Sequence, residues 1–367
     1  MQADVVVVGA GPAGLATATA ASLRGLRVVV IDSRRPLIDK PCGEGLLPEA
    51  VAGLRAIGVE LDSTLAFPFT GIRFSDRTSS VSAKFARGEA FGLRRTTLHQ
   101  LLVNRAREVG IEFRWGARIS GLEDRGVRVG REFISSQWLV GADGQNSMVR
   151  KWAKLGPRRP VQPRFGFRRH YRIAPWTDLV EVYWDERFQL FITPTEAHEI
   201  CLALISSDPH LRIDRALALV PEVAGRLRDA PPTSAESGAV TALVRARAVV
   251  RNHVALVGDA SCTVDGIAGL GLSLALQQAG HLAEALARGD LARYASAHRQ
   301  VTKVAVGMTR LLLLLDRSAW LRRKALRLFA NKPALFSQMI SIHTGKPAPE
   351  ALNAREIFDL GWRVLWA

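Results

Sequence analysis

The stretch Asp4-Val5-Val6-Val7-Val8-Gly9-Ala10-Gly11-Pro12-Ala13-Gly14 decides the reading of this chain. An unbroken β-branched run such as Val5 to Val8 suits a strand buried on both faces, as in a parallel sheet. A glycine-rich turn follows and opens a helix of small residues from Ala13 to Leu23. Gly25 ends that helix, and Leu26 to Ile31 forms a second buried strand. A β-α-β unit is therefore complete in under 32 residues. Within the turn, Gly9 permits the tight bend, Gly11 lets backbone approach a pyrophosphate, and Gly14 lets helix and strand pack closely. Pro12 and Ala13 open the helix, whose free N–H groups and dipole stabilise an anion. Asp32 ends the second strand 18 residues past Gly14 and, with Ser33 beside it, is placed to accept a ribose hydroxyl. Strand, turn, helix and acid together predict a dinucleotide site.

Two later segments have the same character. Leu139-Val140-Gly141-Ala142-Asp143-Gly144-Gln145-Asn146-Ser147 runs on to Val149-Arg150, and Val254-Ala255-Leu256-Val257-Gly258-Asp259-Ala260 lies far downstream. Each sets an aspartate just after a buried strand, beside a glycine where backbone can approach a ligand. Taken singly, either is equally readable as an ordinary turn. Arg95 to Glu108 reads as a helix with Leu98, Leu101, Leu102 and Ala106 on one face. Between these pieces, residues 67 to 92 turn short and strand-like, and about 164 to 207 read as an antiparallel sheet that includes His170, Tyr171 and Tyr183. Leu272 to Arg288 is a helix, and the chain from about 290 is helical. The predicted organisation is discontinuous: a dinucleotide domain from 1–66, 93–160 and 245–300, a substrate domain from 67–92 and 161–244, and a helical region over 301–367.

The three motifs, in this order and spacing over roughly residues 1 to 290, resemble the flavin-dependent monooxygenases with the p-hydroxybenzoate hydroxylase fold, a group that also holds geranylgeranyl reductases and halogenases. The resemblance implies a doubly wound α/β, Rossmann-like FAD domain of the glutathione-reductase type, with an interleaved antiparallel-sheet domain and a helical C-terminus. It implies that Asp259, after Gly258, holds ribityl or ribose hydroxyls. Asp143 and Gly144 would support FAD and the approach of NADH or NADPH, and Arg95 would lie near the cofactor. Gly269 and Gly271 would bring backbone, and a helix N-terminus, to the flavin edge.

Lys40-Pro41-Cys42-Gly43-Glu44-Gly45-Leu46-Leu47-Pro48 resembles the Cys-Gly-Asp/Glu-Gly segment of geranylgeranyl reductases and, in part, the Gly-Glu-Ser-Leu segment of halogenases; both lie beside the flavin ring. On that resemblance Cys42 faces the reacting substrate as a redox or proton-donating group and Glu44 is an acid/base candidate. The alternative for Cys42 is a packed small hydrophobe. Cys262 and Asp265 are candidates to line the same cavity. The halogenase lysine and Trp-x-Trp-x-Ile-Pro segment are missing; the nearest stretch reads Phe67-Pro68-Phe69-Thr70-Gly71-Ile72. Leu190-Phe191-Ile192-Thr193-Pro194 keeps only the final proline of the prenyl-reductase segment.

The expectation is an FAD-dependent oxidoreductase, foremost an NAD(P)H-driven monooxygenase that hydroxylates or epoxidises an apolar or aromatic small molecule. A flavin-dependent alkene reductase and a non-catalytic lipid escort on the same fold are the rivals. Composition narrows the partners. The chain has 367 residues and a net charge of +16, and only 8 of its 50 cations are lysine. Zinc-ligand spacing and basic stretches interleaved with stacking aromatics are missing, which disfavours nucleic acid. No metal site is expected. Cys42, Cys201 and Cys262 form no CxxC, which suits a reducing, cytoplasmic setting. Met1 to Val8 lacks a cationic n-region, so no secretory signal is expected. Leu311 to Leu315, bounded by Arg310 and Asp316, is far short of the ~20 residues a membrane-spanning helix needs. Arg310, Arg317, Arg322, Arg323, Lys324, Arg327 and Lys332 face one acid, Asp316. With Trp320, Leu321, Ala325, Leu328 and Phe329, and with Ser318 as cap, the stretch 310–332 reads either as a helix packed on its own domain or as a peripheral membrane contact.

Overall fold

The computed structural model describes residues 2–156 and 162–344. The expected boundary near 160 and the expected helical region beyond 344 lie outside the described residues. Val5, Val6 and Val7 are buried on both faces of the first strand, Gln2–Val8. This strand pairs in parallel with Val28–Asp32 on one side and with Glu132–Gly141 on the other. Val254–Leu256 extends the parallel sheet beyond Glu132–Gly141, and Glu112–Trp115 extends it beyond Val28–Asp32. Chain order reverses on the two sides of the first strand, which makes a switch point where ligands bind beyond the strand ends. Register fixes which ends coincide: Val8 lies opposite Gly141, and Gly141 opposite Leu256. The three glycine-containing loops therefore leave the same edge of one sheet.

The helix Pro12–Ser22 has proline in its first turn and small residues that stay buried against the helix Gly271–Ala287. Close approach is obligatory here. A Cβ on Gly14 would lie 1.9 Å from the Gly9 carbonyl oxygen. Full burial of each valine in the first strand contributes roughly 1.5–3 kcal/mol. These side chains belong to a single core with Leu15, Leu98, Leu102, Leu139 and Leu256.

The second sheet has seven strands, in the order Ser237–Thr241, Arg164–Tyr171, Glu199–Ser206, Phe188–Glu196, Leu179–Trp184, Gly71–Ser75, Ser80–Lys84. It is antiparallel except where Leu179–Trp184 runs parallel to Gly71–Ser75. Phe67–Phe69 and Ala90–Gly92 form a small sheet with Gly45–Leu46 instead. Along Arg164–Tyr171 the basic face is the more buried one. The buried side chains are Arg164, Arg168, His170 and Tyr171, whereas Phe165 and Phe167 are only half-buried. The charged side of this strand points inward because buried carboxylates wait there.

The C-terminal helices Leu291–Arg317, Ala319–Asn331 and Pro333–His343 pack on the second sheet through Ala305, Leu312, Ala325, Phe329 and Phe336, in a core that also holds Phe74 and Trp184. The helix break falls at Ser318, whose Oγ accepts the Leu321 N–H at 3.2 Å. No helix among the described residues is long and apolar enough to cross a membrane.

Candidate functional site

The three loops at the shared sheet edge are fastened to one another. A Cβ on Gly9, whose φ is +108°, would lie 2.4 Å from the Ala142 carbonyl oxygen and 2.9 Å from the Asp143 nitrogen. A Cβ on Gly258, at φ +61°, would lie 2.6 Å from the Ala13 methyl. Arg150 staples the second loop to the third, its Nη1 donating to the Ala260 carbonyl at 2.9 Å and its Nη2 to the Gln145 carbonyl at 2.6 Å. Gln278 accepts the Gly258 N–H at 2.7 Å. The sequence by itself assigns neither Arg150 nor Gln278 a role. Both act on loops distant in the chain, so only the fold reveals them.

Against these packed glycines stands a second group. A Cβ at Gly11, Gly144, Gly269 or Gly271 would meet nothing within 4 Å. These positions face open space at the ends of strands and at the start of the helix Gly271–Ala287, which has room for a ligand and unsatisfied N–H groups to bind it.

Asp32 accepts the Ala10 N–H through Oδ2 and the Arg34 N–H through Oδ1, both at 2.8 Å. Each oxygen keeps a lone pair for a further donor. Ser33 lies exposed beside it. Asp143 turns its carboxylate to the following helix, accepting the Ser147 hydroxyl and the Met148 N–H at 2.7 Å. Backbone rather than that side chain is what this loop brings against Gly9. Asp259 pairs with Lys40 Nζ at 2.8 Å. His99 is a further residue that sequence reasoning passed over. Its Nδ1 lies 3.4 Å from the Ile38 nitrogen and its Nε2 3.0 Å from the Ala10 oxygen, so Nε2–H is the donor that fixes the glycine-rich turn. Burial, countered by that hydrogen bond, pushes its pKa down.

Arg95 begins the helix Arg95–Glu108 and is buried. Burial pushes its pKa below the ordinary value, against the pull of Cys42, Asp259, Glu44 and Asp39. Its Nη1 is buried without a hydrogen-bond partner among the described residues. An unpartnered buried guanidinium nitrogen is costly, and an arriving anion or carbonyl oxygen would satisfy it.

Glu44 is the centre of the adjacent loop. It adopts φ +61°, a left-handed conformation uncommon outside glycine, and its side chain is 0% exposed. Oε1 accepts the Arg95 N–H at 2.9 Å and Arg168 Nη1 at 2.8 Å; Oε2 lies 2.6 Å from His170 Nε2. His170 Nδ1 continues to Ser234 Oγ at 2.8 Å, and Arg168 also reaches Asp39. Cys201 lies against the same pair, and the three ligand-type atoms of Glu44, His170 and Cys201 fall within 4.8 Å of one another. The network binds the loop 39–44, the helix start at Arg95 and the second sheet into one unit.

Cys42 is half-buried, and its Sγ accepts the Glu44 N–H at 3.3 Å. Burial pushes its thiol up, while Arg95 pulls it down. Cys262 and Asp265, expected along the same cavity, are buried instead. Burial drives the Cys262 thiol to about 12 and raises Asp265. Cys262 packs in the apolar core beneath the second sheet. The Asp265 side chain caps the short turn Gly266–Ala268 through Ile267 N–H at 3.0 Å.

Residues 2–201, more than half of the chain, match a family model described as an FAD binding domain. The 3-(3-hydroxy-phenyl)propionate/3-hydroxycinnamic acid hydroxylase of Mycolicibacterium gilvum is 37% identical over 164 residues, covering 40% of this chain and 29% of the hydroxylase's own length. The menaquinone reductase of Mycolicibacterium smegmatis is 33% identical over 160 residues, covering 40% of this chain and 39% of the reductase. The p-nitrophenol 4-monooxygenase PnpA of Pseudomonas putida superposes with a TM-score of 0.74 at 18% identity, over 99% of this chain and 98% of that one, which shows a common fold.

Proposed function

Because the chain belongs to the FAD binding domain family and takes FAD as its cofactor, we propose that it is an FAD-dependent oxidoreductase of the monooxygenase type, drawing electrons from NADH or NADPH and oxygenating a small aromatic or apolar molecule. The observation that carries the reading is the pairing of an unpartnered buried Arg95 nitrogen with glycines that leave open space at Gly11, Gly144, Gly269 and Gly271. In this reading the flavin-binding unit comprises residues 2–66, 93–156 and 245–300, and the second sheet carries the substrate.

The chain's own residues divide the work. The turn Gly9–Gly14 and the N-terminus of Pro12–Ser22 would hold the pyrophosphate, Asp32 a ribose, and Asp259 the hydroxyls of the linking chain. The N-terminus of Gly271–Ala287 would favour the negative charge that a bound flavin gains on reduction. The bound cofactor supplies the redox chemistry. Glu44 acts as a positioning residue: both its oxygens are engaged by Arg95, Arg168 and His170, which fixes Cys42 and Arg95 relative to the sheet. Cys42, half-exposed and held as a thiol, is the group of this loop free to face a substrate.

A second reading, reduction of an alkene or quinone by hydride from reduced flavin, is favoured by the loop Cys42-Gly43-Glu44-Gly45 and by the likeness to a menaquinone reductase. Oxygen separates the two. A monooxygenase consumes NAD(P)H with aromatic compounds in air, incorporates one oxygen atom into product and stops under anaerobic conditions. Product formation that continues without oxygen would overturn the first reading in favour of the second.

A further inference from the structure

We propose that the outer face of the two helices Leu291–Arg317 and Ala319–Asn331 docks on an anionic lipid bilayer. Folded proteins expose single apolar side chains widely, so clustering is what matters. Among the described residues nine large hydrophobic side chains are exposed, and four of them, Val304, Leu311, Leu314 and Trp320, fall within residues 304–320. Val304, Leu311 and Leu314 are spaced seven and three residues apart, which sets them on one face of the first helix. The opposite face is the packed one: Thr302, Ala305, Val306, Thr309 and Leu312 are buried. The apolar row therefore points away from the body of the protein.

Cations flank this row along its own helix. Arg299, Lys303, Arg310 and Arg317 are exposed on that helix, whereas Arg323 on the next helix pairs with Glu186. The one acid between 299 and 332, Asp316, turns inward to Arg164 at 2.6 Å and Trp184 at 3.1 Å. Lys324 lies 4.5 Å over the Trp320 ring, so an exposed indole carries a cation on its face. Apolar side chains flanked by cations, with a tryptophan among them, suit the boundary between anionic headgroups and acyl chains. Pairing two copies through this face would set like-charged rims against each other, which disfavours self-association. The inner side of the same helix shares a core with Val264, Ile267 and Leu270 in the segment after Asp259.

The test uses the full chain loaded with FAD and vesicles of phosphatidylcholine alone or mixed with phosphatidylglycerol. Cosedimentation is expected with the mixed vesicles, weakly with phosphatidylcholine, and with loss on added salt. Arg310→Glu with Arg317→Glu, and separately Leu311→Ser with Leu314→Ser, should each weaken binding on the order of tenfold or more. All four side chains are exposed, so flavin content and Tm should stay unchanged. Arg87→Glu with Arg131→Glu removes equal charge from exposed positions elsewhere and should keep binding. Equal sedimentation with both vesicle types, equal loss in the control pair, or self-association through this face without vesicle binding would each overturn the proposal.

Discussion

The Oε2 of Glu44 lies 2.6 Å from Nε2 of His170, with both side chains shut away from solvent, and this contact ties the loop beside the nucleotide groove to the second sheet. Two segments 126 residues apart meet through one carboxylate that also takes Arg168 and the Arg95 backbone. Removing one partner of such a buried network leaves charges uncompensated.

Glu44→Gln keeps the size of the side chain and removes its charge. The expected outcome is a loss of about 3–5 kcal/mol in folding stability. Thermal unfolding of the flavin-free protein measures it. A Tm equal to the parent's would show that the network contributes nothing.

Arg95→Met should separate folding from cofactor binding. Nη1 of Arg95 has no hydrogen-bond partner among the described residues, so apo-protein stability should hold steady or rise. FAD affinity should fall by roughly 10- to 100-fold, the worth of a charge-assisted hydrogen bond of about 1.5–3 kcal/mol. Flavin titration by fluorescence quenching, set beside the apo Tm, reads both; unchanged affinity would remove Arg95 from the cofactor site.

The glycines make an internal contrast. Gly14→Ala forces a methyl to 1.9 Å from the Gly9 oxygen and should destabilise the fold by several kcal/mol or prevent folding. Gly11→Ala meets nothing within 4 Å and should fold with parent stability while losing FAD affinity, because the added methyl occupies the groove. Equal effects on stability at the two positions would contradict the assignment.

His298 gives a pH signature. Buried, with Nε2 3.0 Å from Ser261 Oγ, it has its pKa lowered by burial from 6.5 to about 4. The unfolded chain therefore binds the proton first as pH falls. Stability is full above 6.5 and is lost as pH drops toward about 4, by an amount of about 3 kcal/mol for this group. His298→Gln should flatten the Tm-versus-pH slope across this window, and an unaltered slope would assign the acid sensitivity elsewhere.

Local features were legible because their cause is local. The run Val5–Val8 cannot face water, the turn Gly9–Gly14 admits few residues, and Asp32 follows at the distance that one helix and one strand impose. Those local constraints specify a nucleotide-binding end of the sheet. The phase of Arg164–Tyr171 was not legible, since alternation alone does not say which face is inside. Burying Arg168 and His170 makes sense only once Glu44 and Asp39 are known to lie opposite. The roles of Arg150, Gln278 and His99 were hidden for the same reason.

By itself the sequence determined the strands, the glycine turns and the nucleotide-binding character, because backbone conformation and burial periodicity are written within a few residues. The tertiary structure alone decided that Glu44 is a buried tether, that Cys262 and Asp265 are interior, and that Arg95 is left with an unsatisfied nitrogen. Those outcomes depend on which charges meet across long loops, and desolvation makes such meetings decisive only after the chain has closed around them.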